Sequence, residues 1–193
     1  MKRKARRRRR RLLWVLGALA GAGVVFLIFR GTLDHAIQEL TLPLRHEDII
    51  REQAEEKGVD ASLIAAVIYT ESRFRDQTSE AGARGLMQIT PESAQEIERL
   101  SGGTSFRLDD LSDPEINIRY GTFLLGELLE RYDGDEAAAL AAYNAGPANA
   151  DAWGGSDLEP GDIEFPETRA YVEGVLEKQS EYRSEYAREL GYR

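Results

Sequence analysis

An apolar helical face that ends in a carboxylate constrains this chain more than any other feature. Ile64, Val67 and Ile68 recur at spacings of three and four residues, which places them on one face of an α-helix. Glu71 continues that face, and the polar run after it predicts that the helix ends nearby. Apolar neighbours desolvate such a carboxylate, and the negative end of the helix dipole disfavours its charge. The pattern predicts either a proton donor with a raised pKa or a helix-end side chain that reaches water.

Two later segments place a side-chain amide among apolar residues and beside glycine. Gln88 lies in GLMQITP at 85–91, and Asn144 lies in AYNAGP at 142–147. Glycine lets a ligand approach the backbone, and an amide offers both a donor and an acceptor. Each segment alone is compatible with a helix end and a buried, satisfied amide. Together with Glu71, they predict three sides of one cleft.

Start and stop signals divide the chain into helices, and few strand patterns are present. The predicted helices cover about 44–57 (ended by Gly58), 60–71 (begun by Asp60), 91–101, 114–132 (begun by Asp113), the alanine-rich segment after Asp135, and 166–190. A loop is predicted from Trp153 to Gly161. The sequence therefore predicts an all-α domain.

Five motifs resemble one known family in order and spacing. They are ESRF at 71–74, AGARGLMQI at 81–89, LSDPEINI at 111–118, AYNAG at 142–146 and ETRAYV at 167–172. Over roughly 44–186 the chain resembles the catalytic domain of the soluble lytic transglycosylases, the lysozyme-like family 1 enzymes that cleave peptidoglycan. The resemblance implies a lysozyme-like, mainly helical catalytic domain at 44–193. Ala148 and Asp151 depart from the family pattern, which leaves the shape of that loop open.

The resemblance implies a reaction that uses one acid and no cofactor or metal. Glu71 would protonate the β-1,4 bond between N-acetylmuramic acid and N-acetylglucosamine. The same carboxylate would then take the proton from the muramoyl C6 hydroxyl, which closes onto C1 to give a 1,6-anhydro end without water. Two alternatives stay open: a hydrolytic muramidase of the same fold, and a noncatalytic scaffold that binds peptidoglycan.

The resemblance also implies substrate-binding roles for six side chains: Ser72, Met87, Gln88, Tyr143, Asn144 and Tyr171. The first three would contact substrate near the cleaved bond. Tyr143 and Asn144 would hold the muramoyl ring and its acetamido group, and Tyr171 would hydrogen-bond near Glu71. Core packing remains an alternative for Met87, Tyr143 and Tyr171, and a local helix cap remains one for Ser72.

A second catalytic carboxylate is missing from the motifs. Most glycosidases use a pair of carboxylates. The nearest candidates in the sequence are Asp76, Glu80, Asp109 and Asp110, all in polar loop stretches. The chain has no cysteine, and its two histidines, His35 and His46, lie outside every motif. These residue types therefore argue against a thiolate or histidine metal site and against a histidine-based triad.

The N-terminus predicts a membrane anchor. Residues 1–11 carry nine Lys and Arg side chains, whereas the remaining 182 residues hold 16 basic and 34 acidic ones. Residues 12–29 follow without a charge, which suits a short transmembrane helix. Basic residues before the span orient the N-terminus to the cytoplasm. The predicted organisation is a basic cytoplasmic tail (1–11), a transmembrane helix (12–29), a linker (30–43) and an extracytoplasmic catalytic domain at the cell membrane.

Two other interpretations of this segment compete with the anchor. A cleaved signal peptide would use the small residues at 18–20, but these interrupt the apolar stretch. The arginine run suggests nucleic-acid binding, but its position before an apolar span favours contact with anionic lipid head groups. The expected partners are therefore glycan strands and the membrane, with no nucleic acid.

Overall fold

The computed structural model describes Arg30, Leu33 and residues 37–102 and 107–192. The chain divides into two units, Met1–Pro43 and Leu44–Arg193. In the first unit, residues 37–41 are helical, and Leu33 and Leu40 expose their side chains. No helix in the described part of the chain has the length and apolar character needed to cross a membrane. The predicted tail at 1–11 and the predicted span at 12–29 lie outside the described residues.

The second unit is built from helices joined by short loops. Its α-helices are α1 (Glu47–Lys57), α2 (Ala61–Ser72), α3 (Pro91–Ser101), α4 (Pro114–Arg131), α5 (Glu136–Ala145), α6 (Pro147–Ala152) and α7 (Pro166–Glu185). Short 3-10 helices occupy Leu108–Ser112, Gly155–Asp157 and Pro160–Asp162. Within the described ranges, pairing between extended segments is limited to two isolated bridges, Thr78 with Arg84 and Arg84 with Ile89. The all-α prediction is correct for this unit.

Carboxylate caps explain where several helices begin. Asp60 accepts hydrogen bonds from the backbone amides at the start of α2, and Asp113 does the same for α4. Pro114 follows Asp113 at the first helical position, where a missing N–H costs nothing. Asp135 caps α5 through the backbone amide of Ala138. The start signals in the sequence therefore act locally, as predicted.

Three predicted boundaries differ from the structure. Helix α1 begins at Glu47 rather than near 44, because His46 adopts a left-handed conformation with φ of 58°. Helix α7 ends at Glu185 rather than at 190, and the chain then turns so that Leu190 becomes buried. The predicted loop from Trp153 to Gly161 contains two 3-10 turns.

Helix α6 forms in a segment for which the sequence predicted no helix. Gly146, with φ of 89°, ends α5 and changes the direction of the chain. Pro147 is then the first residue of the new helix. Asp151 accepts a hydrogen bond from the Tyr132 hydroxyl at 2.8 Å and forms an ion pair with Arg131 at 2.7 Å. Asp151, one of the two residues that depart from the family pattern, thus connects α6 to the end of α4.

Helix α2 lies at the centre of the unit. Every residue from Ala61 to Ile68 is buried, so the helix is covered on all sides and not only along the stripe seen in the sequence. Helix α7 packs along it. Tyr182 of α7 is fully buried, with its ring 6.2 Å from the rings of Tyr69 and Phe74. This packing fixes the position of the C-terminal end of α2, where Glu71 lies.

A compact turn at 77–89 packs against α4. Gly85 adopts φ of 75° and donates its N–H to the carbonyl of Gln77 at 2.9 Å. A Cβ added at Gly85 would lie 2.1 Å from Nδ2 of Asn117 and 2.3 Å from the carbonyl oxygen of Leu111. Only glycine therefore allows the turn to approach α4 so closely.

We expect Gly85→Ala to lower the free energy of unfolding by about 3 kcal/mol or more, because it combines an unfavourable φ with a backbone clash. Gly58→Ala is the matched control, since Gly58 has φ of 67° and nothing within 4 Å of its added Cβ. It should cost only about 1–2 kcal/mol. Urea unfolding of the full-length chain, followed by circular dichroism, measures both. Equal losses in the two variants would contradict the clash.

Candidate active site

Glu71 lies at the end of α2 and is bound by a tyrosine of α7. The helix ends at Ser72, and Arg73 and Phe74 both adopt left-handed backbone conformations with φ of 53° and 58°. Phe74 is buried, which holds this turn in place. The Tyr171 hydroxyl donates a hydrogen bond to Oε1 of Glu71 at 2.8 Å. The carboxyl group is thereby fixed in one orientation.

Burial raises the pKa of Glu71 to about 7, and the hydrogen bond from Tyr171 opposes this rise. The direction agrees with the desolvation expected from the sequence. The pKa in the folded chain lies above the ordinary value of 4.5, so protonated Glu71 is favoured by folding. This contribution to stability is complete below about pH 4.5 and is lost as the pH rises through 7. Near neutral pH the group is therefore able to give and to take a proton.

Two tyrosines share this environment. Burial and the charge of Glu71 raise the pKa of Tyr143 and that of Tyr171 well above the usual value. Both hydroxyls therefore stay protonated and act as hydrogen-bond donors. Tyr143 donates to the carbonyl oxygen of Met87 at 2.9 Å, which joins α5 to the 77–89 turn.

A series of hydrogen bonds links the predicted segments around Glu71. Nε2 of Gln77 donates to the carbonyl of Glu71 at 3.1 Å, and Nε2 of Gln88 donates to the carbonyl of Gln77 at 3.1 Å. On the other side, Thr168 of α7 donates to Oδ1 of Asn144 at 2.8 Å. Because Tyr143 precedes Asn144 and binds the turn, the motif segments that contain Glu71, Gln88 and Asn144 are joined to one another. The structure thus brings these three predicted segments together.

Ser72 and Met87 differ from the other predicted site residues in their burial. Ser72 is 2% exposed, and its hydroxyl donates to the carbonyl of Ile68 at 3.1 Å. Met87 is fully buried, and its side chain occupies the space that a Cβ on Gly121 would need. Local capping and core packing, the alternatives considered for these residues, describe what the two side chains do in this conformation. A substrate contact by either one stays a prediction.

Asn117 supports the site and was not predicted from the sequence. Its Oδ1 accepts from the backbone amide of Met87 at 2.8 Å, and its Nδ2 donates to the carbonyls of Arg84 and Leu111, each at 2.9 Å. The side chain is fully buried with all three bonds inside the protein. The sequence does contain a sign of this role: Asn117 lies between the apolar residues Ile116 and Ile118 of the third motif. A buried amide in such a place needs hydrogen-bond partners inside the protein.

The four carboxylates that the sequence offers as a second acid are exposed or paired with other groups. Asp76 and Glu80 are exposed. Asp109 forms an ion pair with Arg84 at 2.7 Å, and Asp110 accepts from the backbone amide of Arg107 at 2.9 Å. Among the described residues, no group of three or more His, Cys, Asp or Glu side chains is placed to hold a metal ion. Within the described residues, the site therefore combines the carboxyl group of Glu71 with neutral hydrogen-bond donors and acceptors.

Among the described residues, the fold and site define a lysozyme-like, all-helical domain with a half-buried acid at the end of α2. The sequence matches the family described as the transglycosylase SLT domain over residues 48–165. The chain belongs to this transglycosylase SLT family, and the resemblance inferred from the five motifs is confirmed. The match ends before α7, although α7 supplies Tyr171 and Thr168.

Relatives of known name and structure agree with this family. The soluble lytic murein transglycosylase of Salmonella typhimurium is 33% identical over 159 residues, which cover 78% of this chain and 24% of the relative. The membrane-bound lytic murein transglycosylase C of Edwardsiella ictaluri is 30% identical, with coverage of 77% and 52%. An inactive mutant of the lytic transglycosylase Slt from Pseudomonas aeruginosa superposes with a TM-score of 0.73 at 32% identity, covering 78% of this chain and 26% of that one. The chain thus spans about a quarter of the length of the Salmonella relative.

We expect Tyr171→Phe to raise the pKa of Glu71 further, by roughly 0.5–1, because the hydroxyl favours the ionised form. Carbon-13 NMR titration of the glutamate carboxyl groups in the full-length chain measures this value. Tyr192→Phe is the control, since the Tyr192 hydroxyl binds Asp60 near the other end of α2. An unchanged or lower pKa in Tyr171→Phe would contradict the assigned effect of the hydrogen bond.

Proposed function

We propose that this chain is a membrane-anchored peptidoglycan lytic transglycosylase that uses Glu71 as general acid and then as general base. The observation that carries the proposal is the hydrogen bond from Tyr171 to the half-buried carboxyl group of Glu71, whose pKa desolvation raises to about 7. A group that must donate and later accept a proton works best when its pKa is close to the working pH. The SLT family and the lytic murein transglycosylases among its relatives support the same reaction.

The proposed reaction needs only the substrate and Glu71. Protonated Glu71 gives its proton to the glycosidic oxygen of the bond between N-acetylmuramic acid and N-acetylglucosamine, and the bond from muramoyl C1 to that oxygen breaks. The substrate's own N-acetyl group assists departure. Glu71, now a carboxylate, takes the proton from the muramoyl C6 hydroxyl while O6 bonds to C1. Glu71 is therefore protonated again at the end of the reaction, and a 1,6-anhydro end forms without water.

The neighbouring side chains have proposed roles in this reaction. Tyr171 orients Glu71 and partly offsets the cost of its charge. Gln88 and Asn144 retain amide atoms for substrate, and Tyr143 joins their two segments through its hydrogen bond to the carbonyl of Met87. Ser72 and Met87 are proposed to contact substrate near the cleaved bond, although both are buried in this conformation. No cofactor is needed for these steps.

We expect the full-length chain to release 1,6-anhydro-muramoyl products from purified peptidoglycan, detected by mass spectrometry. Glu71→Gln should abolish their release, because an amide cannot donate and recover the proton. Glu130→Gln removes an exposed carboxyl group on α4 and serves as the matched control, with activity unchanged.

Each alternative gives a different outcome in the same experiment. Reducing-end products in place of anhydro ends would identify a hydrolytic muramidase. Bound glycan with no released sugar would identify a noncatalytic scaffold, and in that case the role proposed for Glu71 is wrong.

Membrane anchoring is proposed from the charge-free segment at 12–29 and the basic residues before it. Membrane-bound relatives within the family support it. We expect the full-length chain to stay in the membrane pellet after alkaline carbonate extraction, with the catalytic domain on the extracytoplasmic side. A variant that lacks residues 2–29 should be released. Extraction of the full-length chain into the supernatant would contradict the anchor.

A further inference from the structure

Gln88 has only one polar side-chain atom left for a ligand. Its Nε2 carries two hydrogens, and these are donated to the carbonyls of Gln77 at 3.1 Å and Gly85 at 2.9 Å. The residue also adopts a left-handed backbone conformation, with φ of 49°, within the turn that these bonds close. Both amide hydrogens therefore point into the turn. The carbonyl oxygen Oε1 remains, so Gln88 offers an acceptor.

Asn144 has the opposite polarity. Its Oδ1 accepts the hydroxyl proton of Thr168 at 2.8 Å. Thr168 is 3% exposed and lies in the first turn of α7, so its hydroxyl is held by the packing of that helix. Asn144 itself is exposed at the end of α5. Its Nδ2 makes no hydrogen bond within the described residues and offers a donor.

We infer that Thr168 is a positioning residue that fixes the orientation of the Asn144 amide, so that the site presents a donor from Asn144 and an acceptor from Gln88. An acetamido group carries one N–H donor and one carbonyl acceptor, and its polarity matches this pair. The inference rests on the proposed function, because it assigns these two atoms to the N-acetyl group of the glycan. Thr168 acts only through Asn144 and touches no reacting atom.

The orientation depends on one hydroxyl proton. A turned Asn144 amide would donate from Nδ2 to Oγ1 of Thr168, and the buried hydroxyl would lose the Asn144 oxygen that accepts its proton. It would also place the amide oxygen where the ligand needs an N–H. Without the hydroxyl, the amide has no partner that favours either orientation, and its selectivity for an acetamido group falls. A serine at 168 retains the hydroxyl and should retain the orientation.

The test measures binding and does not require cleavage. Full-length chains carrying Glu71→Gln are titrated by calorimetry with the N-acetylglucosamine tetramer and with its de-N-acetylated counterpart. The ratio of the two dissociation constants reports selectivity for the acetamido group. Because the amine charge of the second probe is the same for every variant, a change in the ratio between variants reports the acetamido contact.

Thr168→Val should reduce the ratio about tenfold, which corresponds to ~1.4 kcal/mol, and Thr168→Ser should keep it. Thr122→Val is the matched control: Thr122 is also a buried threonine, but its hydroxyl has no hydrogen-bond partner in the described chain. Its ratio should not change.

Several outcomes would overturn the inference. An unchanged ratio in Thr168→Val, or a loss in Thr168→Ser equal to that in Thr168→Val, shows that the hydroxyl does not orient Asn144. Equal binding of both probes by the Glu71→Gln chain shows that the site does not recognise the acetamido group. Failure of the proposed function is distinguishable, since it appears as missing anhydro products from the chain with Glu71 intact, whatever the binding ratio.

Discussion

The packing of α7 along α2 is the interaction on which the rest of this domain depends. It contributes to the burial of residues Ala61 to Ile68 of α2 and brings the Tyr171 hydroxyl to Glu71. At the other end of α2, Asp60 receives hydrogen bonds from the start of its own helix and from Tyr192, and it forms an ion pair with Arg183. Helix α7 and the residues after it therefore contact both ends of the helix that carries the acid. The same burial that stabilises the fold raises the pKa of Glu71.

A second requirement is the full satisfaction of buried amides around the 77–89 turn. Asn117 makes three hydrogen bonds that tie this turn to α4 and to the 3-10 segment before it. Gly85 allows the approach, because any larger residue would overlap with Asn117. Polar groups in a dry environment are costly unless each finds a partner, and a fully paired amide holds one backbone arrangement. The turn thus presents Gln88 in a single orientation.

A single half-buried acid among neutral donors suits the proposed chemistry better than a pair of carboxylates would. A second carboxylate nearby would compete for the proton and divide the titration between two groups. Here the pKa of Glu71 is set by burial and by one hydroxyl. Tyr143 and Tyr171 remain protonated, so they contribute hydrogen bonds without a charge of their own. The site is therefore able to let one group donate a proton in the first step and accept one in the second.

The sequence by itself determined the helix starts at Asp60, Asp113 and Asp135, the helical class of the domain and the position of Glu71 at a helix end. These features depend on neighbours in the chain, since a cap or an apolar stripe acts within a few residues. The family was recognisable for a similar reason, because its motifs are short and local.

Only the tertiary structure decided which polar atoms of the motif segments remain available to a ligand. It turned Ser72 and Met87 inward, gave Asp151 a partner on α4, placed Asn117 beneath the turn and used both hydrogens of Gln88 inside the protein. The bonds of Asp151 and of Asn117 join residues far apart in the chain. Those of Ser72 and Gln88 are local, but tertiary packing holds the backbone that makes them. The orientation of an amide is set by partners that packing supplies, and no local pattern encodes it.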